Sequence, residues 1–369
     1  MSSETVAGII SEEIEKAWNS DNLSIVKIPV ADGGEGTVDC VLSALPGEKI
    51  YLRVKSPENK EIEAYYGVAS DTAVIEIAQS SGITRQTSYN AKAATTYGFG
   101  QLIRDALDRG IRKFLLCLGG SATTDCGLGM AAALGAKFYD KSGNEFIPTG
   151  GTLSDVCDIN TDGIDCRIQE SEFTVMCDVE NPLYGENGAA YVYGPQKGAT
   201  AEDVLIMDKG LKSFSTLYAE KTGTDYSAEK GAGAAGGAGY ACMTFLNATL
   251  KSGIEAMLEI NNFDELVKDC DLVVTGEGKV DEQSFMGKVL SGVIRHSKDK
   301  CITAFCGICK INDHVDKQDV IRYNGIDIVE IGRGIPLEES IKNGSIYLRN
   351  AAKNYFEKEF VKRQERSSV

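Results

Sequence analysis

Asp32 and Glu35 stand among three glycines in Ala31-Asp32-Gly33-Gly34-Glu35-Gly36-Thr37. Gly33 and Gly34 let the backbone approach a small ligand closely, and the two acids can hold a cation or a hydroxyl. A tight acidic turn that caps a helix is the competing reading. In Gly119-Gly120-Ser121-Ala122-Thr123-Thr124-Asp125, hydroxyls and free N–H groups face one point, which suits a carboxylate or phosphate, unless the polar residues merely cap the next helix. Cys177-Asp178-Val179-Glu180-Asn181-Pro182 puts Asp178 at the end of an apolar strand that Asn181-Pro182 stops. A carboxylate there is placed as a general base or a metal ligand, with an Asx-turn as the plain alternative.

Gly231-Ala232-Gly233-Ala234-Ala235-Gly236 matches a dinucleotide fingerprint, but a polar stretch precedes it where that fold needs an apolar strand. Close packing or a phosphate cradle are the readings that remain. Gly276-Glu277-Gly278-Lys279-Val280-Asp281 combines flexible backbone, a cation and two carboxylates, a mixture that fits a nucleotide phosphate bound through magnesium, with a surface turn as the plain alternative. Gly287-Lys288 lacks the rest of a Walker A loop. Cys301, Cys306 and Cys309 fall short of an iron-sulfur set and flank an apolar run, so they read as core. With two histidines, imidazole triads and zinc sites have little support.

The elements that must hold these loops alternate along the chain. Apolar spacing predicts a helix over 3–18, a strand over 23–30, a helix over 37–45 and a hairpin of 49–55 with 61–68 about Ser56-Pro57-Glu58-Asn59. Further strands are expected at 73–78, 113–118, 173–177, 189–193, 272–275, 302–305 and 326–331, and helices at 95–109, 124–136, 201–221, 263–270, 282–298 and 337–363. Such alternation argues for a mostly parallel sheet with helices on both faces, and it puts the glycine-rich loops at strand ends, where open α/β sheets bind ligands.

Composition bounds the partner. The chain has 369 residues, enough for two domains, and a net charge of −16, whose field repels polyphosphate backbones and anionic membranes. We expect no nucleic-acid and no membrane partner, whereas a small phosphorylated ligand remains compatible because N–H nests neutralise charge locally. Eleven cysteines without framework spacing or a preceding secretory signal give a cytoplasmic expectation.

Together, ADGGEGT at Ala31, GGSATTDCGLGM at Gly119, CDVENPLYGENGAAYVYGPQKGA at Cys177, GAGAAGGAG at Gly231 and TGEGKVDEQSFMGK at Thr275 resemble the bacterial glycerate kinase family, in the family's order and over almost the whole chain. The resemblance implies ATP-dependent phosphorylation of D-glycerate, 2-phosphoglycerate favoured, with Mg2+. It also implies two α/β domains. One is a mostly parallel, three-layer Rossmann-like or flavodoxin-like sheet, expected over residues 1–60 and 262–369, and the other a mixed α/β domain inserted over 61–261. A homodimer is compatible with it.

By position, the resemblance gives Asp32, Glu35, Asp178 and Asp281 as family acids, Ser121 and Asp125 in the double-glycine turn, and Lys197, Lys279 and Lys288 as basic positions. Phosphoryl transfer needs positioning, charge neutralisation and one carboxylate near the attacking hydroxyl. Asp178 is our expected base, with Asp32 the runner-up. Substrate contacts are expected from Gly33, Gly34, Glu35, Gly119, Gly120, Ser121, Asp125 and Asn181. Lys197, Gly231, Gly233, Gly236, Gly276, Glu277, Lys279 and Lys288 are expected at the nucleotide and Asp281 at the metal. Family members place a strand and an Ala-Pro-Asp-Ser-Phe-Lys-Gly segment before the first helix, so an upstream coding extension is expected here, with a catalytically impaired binder as the alternative.

Overall fold

The computed structural model describes residues 1, 3–18, 21–31, 33–285, 289–311, 315–317 and 320–367. The chain forms two compact units, one of residues Met1–Val30 and Met257–Val369, the other of Ala31–Ala256. Both are mixed α/β.

The unit of residues 31–256 is built on a six-stranded sheet in the order Gly47–Lys55, Glu61–Ala69, Thr72–Glu76, Lys113–Cys117, Glu172–Met176, Thr249–Lys251. Its first three strands meander antiparallel about the expected hairpin, and the last four run parallel. The parallel strands are short apolar runs buried on both faces, as parallel sheets require. Phe114 and Phe173, paired across adjacent strands, stack with ring centroids 4.5 Å apart. The amphipathic helix Tyr97–Asp108 covers the sheet with Phe99, Leu102, Ile103, Ala106 and Leu107. It ends where Gly110 takes a positive φ of 88°.

The other unit carries a five-stranded sheet in the order Leu272–Asp281, Cys301–Lys310, Ile326–Glu330, Val320–Tyr323, Val315–Lys317. The first three strands are parallel and the last two antiparallel. The helix Ser3–Ala17 packs on the helix Gly344–Ser367 through Ile9, Ile10, Leu348, Ala352 and Phe356, a cluster completed by Phe305 and Val329 of the sheet. Glu13 is buried in this contact. Burial alone would raise its carboxyl, but hydrogen bonds from Lys16 and Arg349 outweigh that and hold it below the usual carboxylate range.

Four segments depart from the sequence reading. Residues 23–30, read as a strand, run without a ladder among the described residues, because β-branched composition describes a surface that fits a sheet and does not supply the neighbour. Residues 189–193 form a helix instead of a strand: five apolar residues carry too little periodicity to decide, and Val192 and Gly194 donate helically to Gly188 and Ala190. The strand read at 272–275 continues to Asp281, so Gly276, Glu277 and Lys279 are strand residues paired with Cys301–Lys310 and not a loop. Residues 31–60, expected with the first unit, belong to the second, since Gly47–Lys55 pairs along its whole length with Glu61–Ala69.

Trp18 is the single tryptophan and lies 5.6 Å from the Phe356 ring, so its emission reports the unit of the two terminal segments. Phe356→Ala is expected to destabilise that unit by about 3–5 kcal/mol. The check is a lower denaturant midpoint of the Trp18 fluorescence transition.

Candidate active site

The carboxyl ends of the parallel strands in the 31–256 unit lie level, with Glu76 opposite Cys117, Cys117 opposite Met176 and Met176 opposite Lys251. The segments that leave this row are 77–85, 118–127, 177–182 and 252–253. Three of the four sequence motifs assigned to this unit therefore start or land at one edge of one sheet, the place where open α/β sheets bind ligands.

Gly119 N–H donates to Gly33 O at 2.9 Å, and a side chain at Gly119 would lie 2.6 Å from Gly34 Cα. Glycine is required there by space. Gly33 has φ +82° and rests on Met176, so the 33–36 loop lies across two strand ends. Its free end is tied down by Thr84, whose hydroxyl donates to Glu35 Oε1 at 2.8 Å. Glu35 is exposed and Gly34 partly so, and Asp32 lies outside the described residues.

Lys197 is 2% exposed. Its ammonium donates to Thr123 O at 2.6 Å and to Ser121 Oγ at 3.1 Å, so it braces the 119–125 turn from within. Burial pulls its pKa down to about 7, opposed by the field of Asp125. Asp125 is itself wholly buried and accepts from Thr96 N–H, Thr96 Oγ1–H, Gly127 N–H and Gly129 N–H. Burial raises its carboxyl and those four bonds oppose the rise. Its bonds tie the turn to the start of the helix Tyr97–Asp108. The hydroxyls of Thr123 and Thr124 are buried with no hydrogen-bond partner among the described residues. An enclosed unpaired hydroxyl is costly, and two of them lie in this turn beside a buried ammonium.

Asp178 is exposed at the end of its strand, and one carboxylate oxygen accepts from Gly253 N–H at 2.9 Å, the first residue of the helix Gly253–Ile260. One oxygen is thereby oriented by the backbone of a helix start. Asn181 is fixed at both ends of its amide, donating to Asn187 O at 2.8 Å and accepting from Tyr193 Oη at 2.7 Å.

Gly231, Gly233 and Gly236, expected at a nucleotide, are pressed against protein. A Cβ would lie 2.9 Å from Cys177 Sγ at Gly231, 2.3 Å from Pro182 O at Gly233 and 2.0 Å from Thr123 O at Gly236. Of the two readings of this segment, close packing is the one these distances explain. In the other unit, Glu277 Oε1 accepts from Leu290 N–H at 3.0 Å, and Lys279 pairs with Asp281 at 2.5 Å. A Cβ at Gly276 would lie 2.9 Å from Phe305 O. Lys288 lies outside the described residues. Among the described residues no three His, Cys, Asp or Glu side chains gather to hold a metal, and no helix is long and apolar enough to cross a membrane.

The sequence reading missed Glu76, Gln79, Ser80 and Ser81. All are buried, Glu76 as the last residue of an apolar strand and the others just after it, which is the one signal that could have flagged them.

The profile described as "Glycerate kinase family" matches residues 1–358. The chain is 40% identical over 349 residues to a glycerate kinase of Halalkalibacterium halodurans, covering 92% of this chain and 91% of that one. It is also 40% identical over 329 residues to the glycerate 2-kinase of Escherichia coli, covering 88% and 86%. A Salmonella typhimurium LT2 crystal structure described as a glycerate kinase 2 superposes with a TM-score of 0.83 at 34% identity, covering 99% of this chain and 96% of that one.

Burial of Lys197 sets a sign for stability. With a folded pKa near 7 against an ordinary 10.5, the unfolded chain binds more protons between those values, so unfolding free energy rises with pH across that window. The contribution is up to about 1.4 kcal/mol per pH unit. Lys197→Met is expected to flatten this slope, measured by denaturant unfolding of both proteins between pH 7 and 10.

Proposed function

The chain belongs to the glycerate kinase family, and from that premise we propose that it transfers the γ-phosphoryl group of ATP to the 2-hydroxyl of D-glycerate. The observation that carries the assignment of the acceptor side is the level row of strand ends, from which the braced double-glycine turn and the Asp178 turn depart and across which the glycine loop lies. The name of the Escherichia coli relative favours the 2-position.

In this reading Asp178 accepts the proton of the attacking hydroxyl. Its exposure makes it reachable, and the Gly253 N–H holds one oxygen so that the other is presented. Glu35 and Asn181, with the backbone of Gly33, Gly34, Gly119 and Gly120, orient the acceptor, and Ser121 supplies a hydroxyl to its carboxylate. We assign Asp125 to positioning, because its four bonds all run to the loop and helix starts that shape the turn. Lys197 brings positive charge behind that turn, toward the transferring phosphoryl group. Asp32 is the second carboxylate assigned to this side.

We assign Glu277, Lys279, Lys288 and the backbone of Gly276 to the nucleotide, and Gly231, Gly233 and Gly236 to close packing behind the site. Mg2+ enters such reactions with the phosphates and takes only one or two protein carboxylates, and Asp281 is the one assigned. When bound, the ion neutralises charge on the phosphate oxygens.

Coupled ADP release with D-glycerate tests the activity, and NMR of the product tests the position; a 3-phosphorylated product would overturn the regiochemistry. Asp178→Asn keeps an acceptor oxygen for Gly253 N–H and removes the base. It is expected to lower kcat by about 100-fold or more with little change in KM for ATP. A near wild-type kcat would pass the role to Asp32, tested by Asp32→Asn.

A further inference from the structure

Glu76 is 0% exposed and ends the strand Thr72–Glu76 in the row of strand ends. Its carboxylate reaches a residue 38 positions earlier, accepting from Val38 N–H at 2.7 Å through Oε1. Val38 is the second residue of the helix Thr37–Ala44, which follows directly on the 33–36 loop. That helix starts at Gly36 with φ 93° and has no side-chain cap of its own. A buried acid from another element therefore supplies the acceptor that an N-cap residue would, and places negative charge at the positive end of the helix.

The other oxygen, Oε2, accepts from Gln79 Nε2 at 3.1 Å, and Gln79 Oε1 in turn accepts from Arg85 Nη2 at 2.6 Å. The chain of bonds has one polarity. Arg85 donates to Gln79, Gln79 donates to Glu76, and Glu76 accepts also from the helix. A carboxylate is the group that can end it, because both of its oxygens accept and neither donates.

We propose that Glu76 is the positioning residue of the acceptor-side loop 33–37, and that the Gln79–Arg85 relay fixes its orientation. This rests on the reading that the loop receives the acceptor. Ties from other elements to that loop then include Gly119 to its first carbonyl, Thr84 to Glu35, and Glu76 to the helix that it enters. The first two act on the loop itself, and Glu76 fixes the helix onto which it opens.

The polarity gives a specific test. In Glu76→Gln the new carbonyl can still accept from Val38, but the new amide faces the amide of Gln79, donor to donor. Rotating Gln79 to relieve this turns its amide against the guanidinium of Arg85. In Gln79→Glu two carboxylates meet. In the double variant Glu76→Gln/Gln79→Glu the sequence of donors and acceptors is restored, with residue 79 accepting from both Arg85 and residue 76.

Each variant is assayed for kcat and KM with D-glycerate and ATP, and for amide hydrogen exchange over residues 37–41. Glu76→Gln is expected to lower kcat/KM for D-glycerate by about tenfold or more, with KM for ATP within about twofold and faster exchange over 37–41. The double variant is expected to recover most of both losses, which a side chain needed only to fill space would not produce. Wild-type kcat/KM and exchange in Glu76→Gln, or a folded double variant no better than the single ones, would overturn the proposal. If Glu76→Gln does not fold, Gln79→Met decides it: the near-isosteric change leaves the Val38 bond but cuts the relay, and unchanged kcat/KM for D-glycerate overturns it. If the wild-type chain does not turn over D-glycerate, the functional reading fails, and the exchange data alone still decide whether Glu76 holds the helix start.

Discussion

Backbone meeting backbone at van der Waals distance is the constraint on which the row of strand ends in the 31–256 unit depends. The double-glycine turn can bond to the glycine loop only because Gly119 carries no side chain. The same holds where Gly236 meets Thr123 and where Gly233 meets Pro182. Loops that come this close lose most of their freedom without needing side chains to pin them, so their N–H and hydroxyl groups stay fixed in the absence of a ligand. That is preorganisation in the sense that matters for phosphoryl transfer, where positioning and fixed charge do most of the catalysis. A β-carbon at any of these points would push a strand-end loop away from the segment packed on it.

Charge is handled by separation. The chain as a whole is acidic, yet the buried ammonium of Lys197 sits directly behind the double-glycine turn. Lys197 is held by a carbonyl and a hydroxyl, with Asp125 supplying field without a direct bond. An ammonium so enclosed interacts more strongly with a nearby anion than the same group in water would, because the surroundings screen it less. The acidic exterior and this interior cation therefore act at different ranges.

Much of this organisation can be read from residues alone, and the exceptions have physical causes. The hairpin about Pro57, the strands at 113–117 and 172–176 and the long helix Ala201–Thr222 carry their own periodicity and punctuation, and they lie where the sequence puts them. The glycine loop and the double-glycine turn are legible because glycine beside acids or hydroxyls is unusual composition. What a single sequence does not carry is partnership. Residues 23–30 have strand composition without a ladder, the strand from Leu272 runs on through a segment that looks like a loop, and the glycines at 231–236 imitate a phosphate cradle while filling a packing role. Glu76 is the clearest case. Its meaning comes from Val38, and no local pattern connects two residues 38 positions apart.

The chain passes between its two units at 30/31 and again at 256/257. The first crossing opens straight into the glycine loop, and the second falls inside the helix whose first N–H holds Asp178. Neither crossing has a spacer between it and those segments. Lineages of most multidomain enzymes drift fastest in their linkers, where insertions and deletions are tolerated. Here both joints run straight into bonded segments, the glycine loop held by Gly119 and the helix start that holds Asp178, so an insertion or deletion at either would displace those bonds.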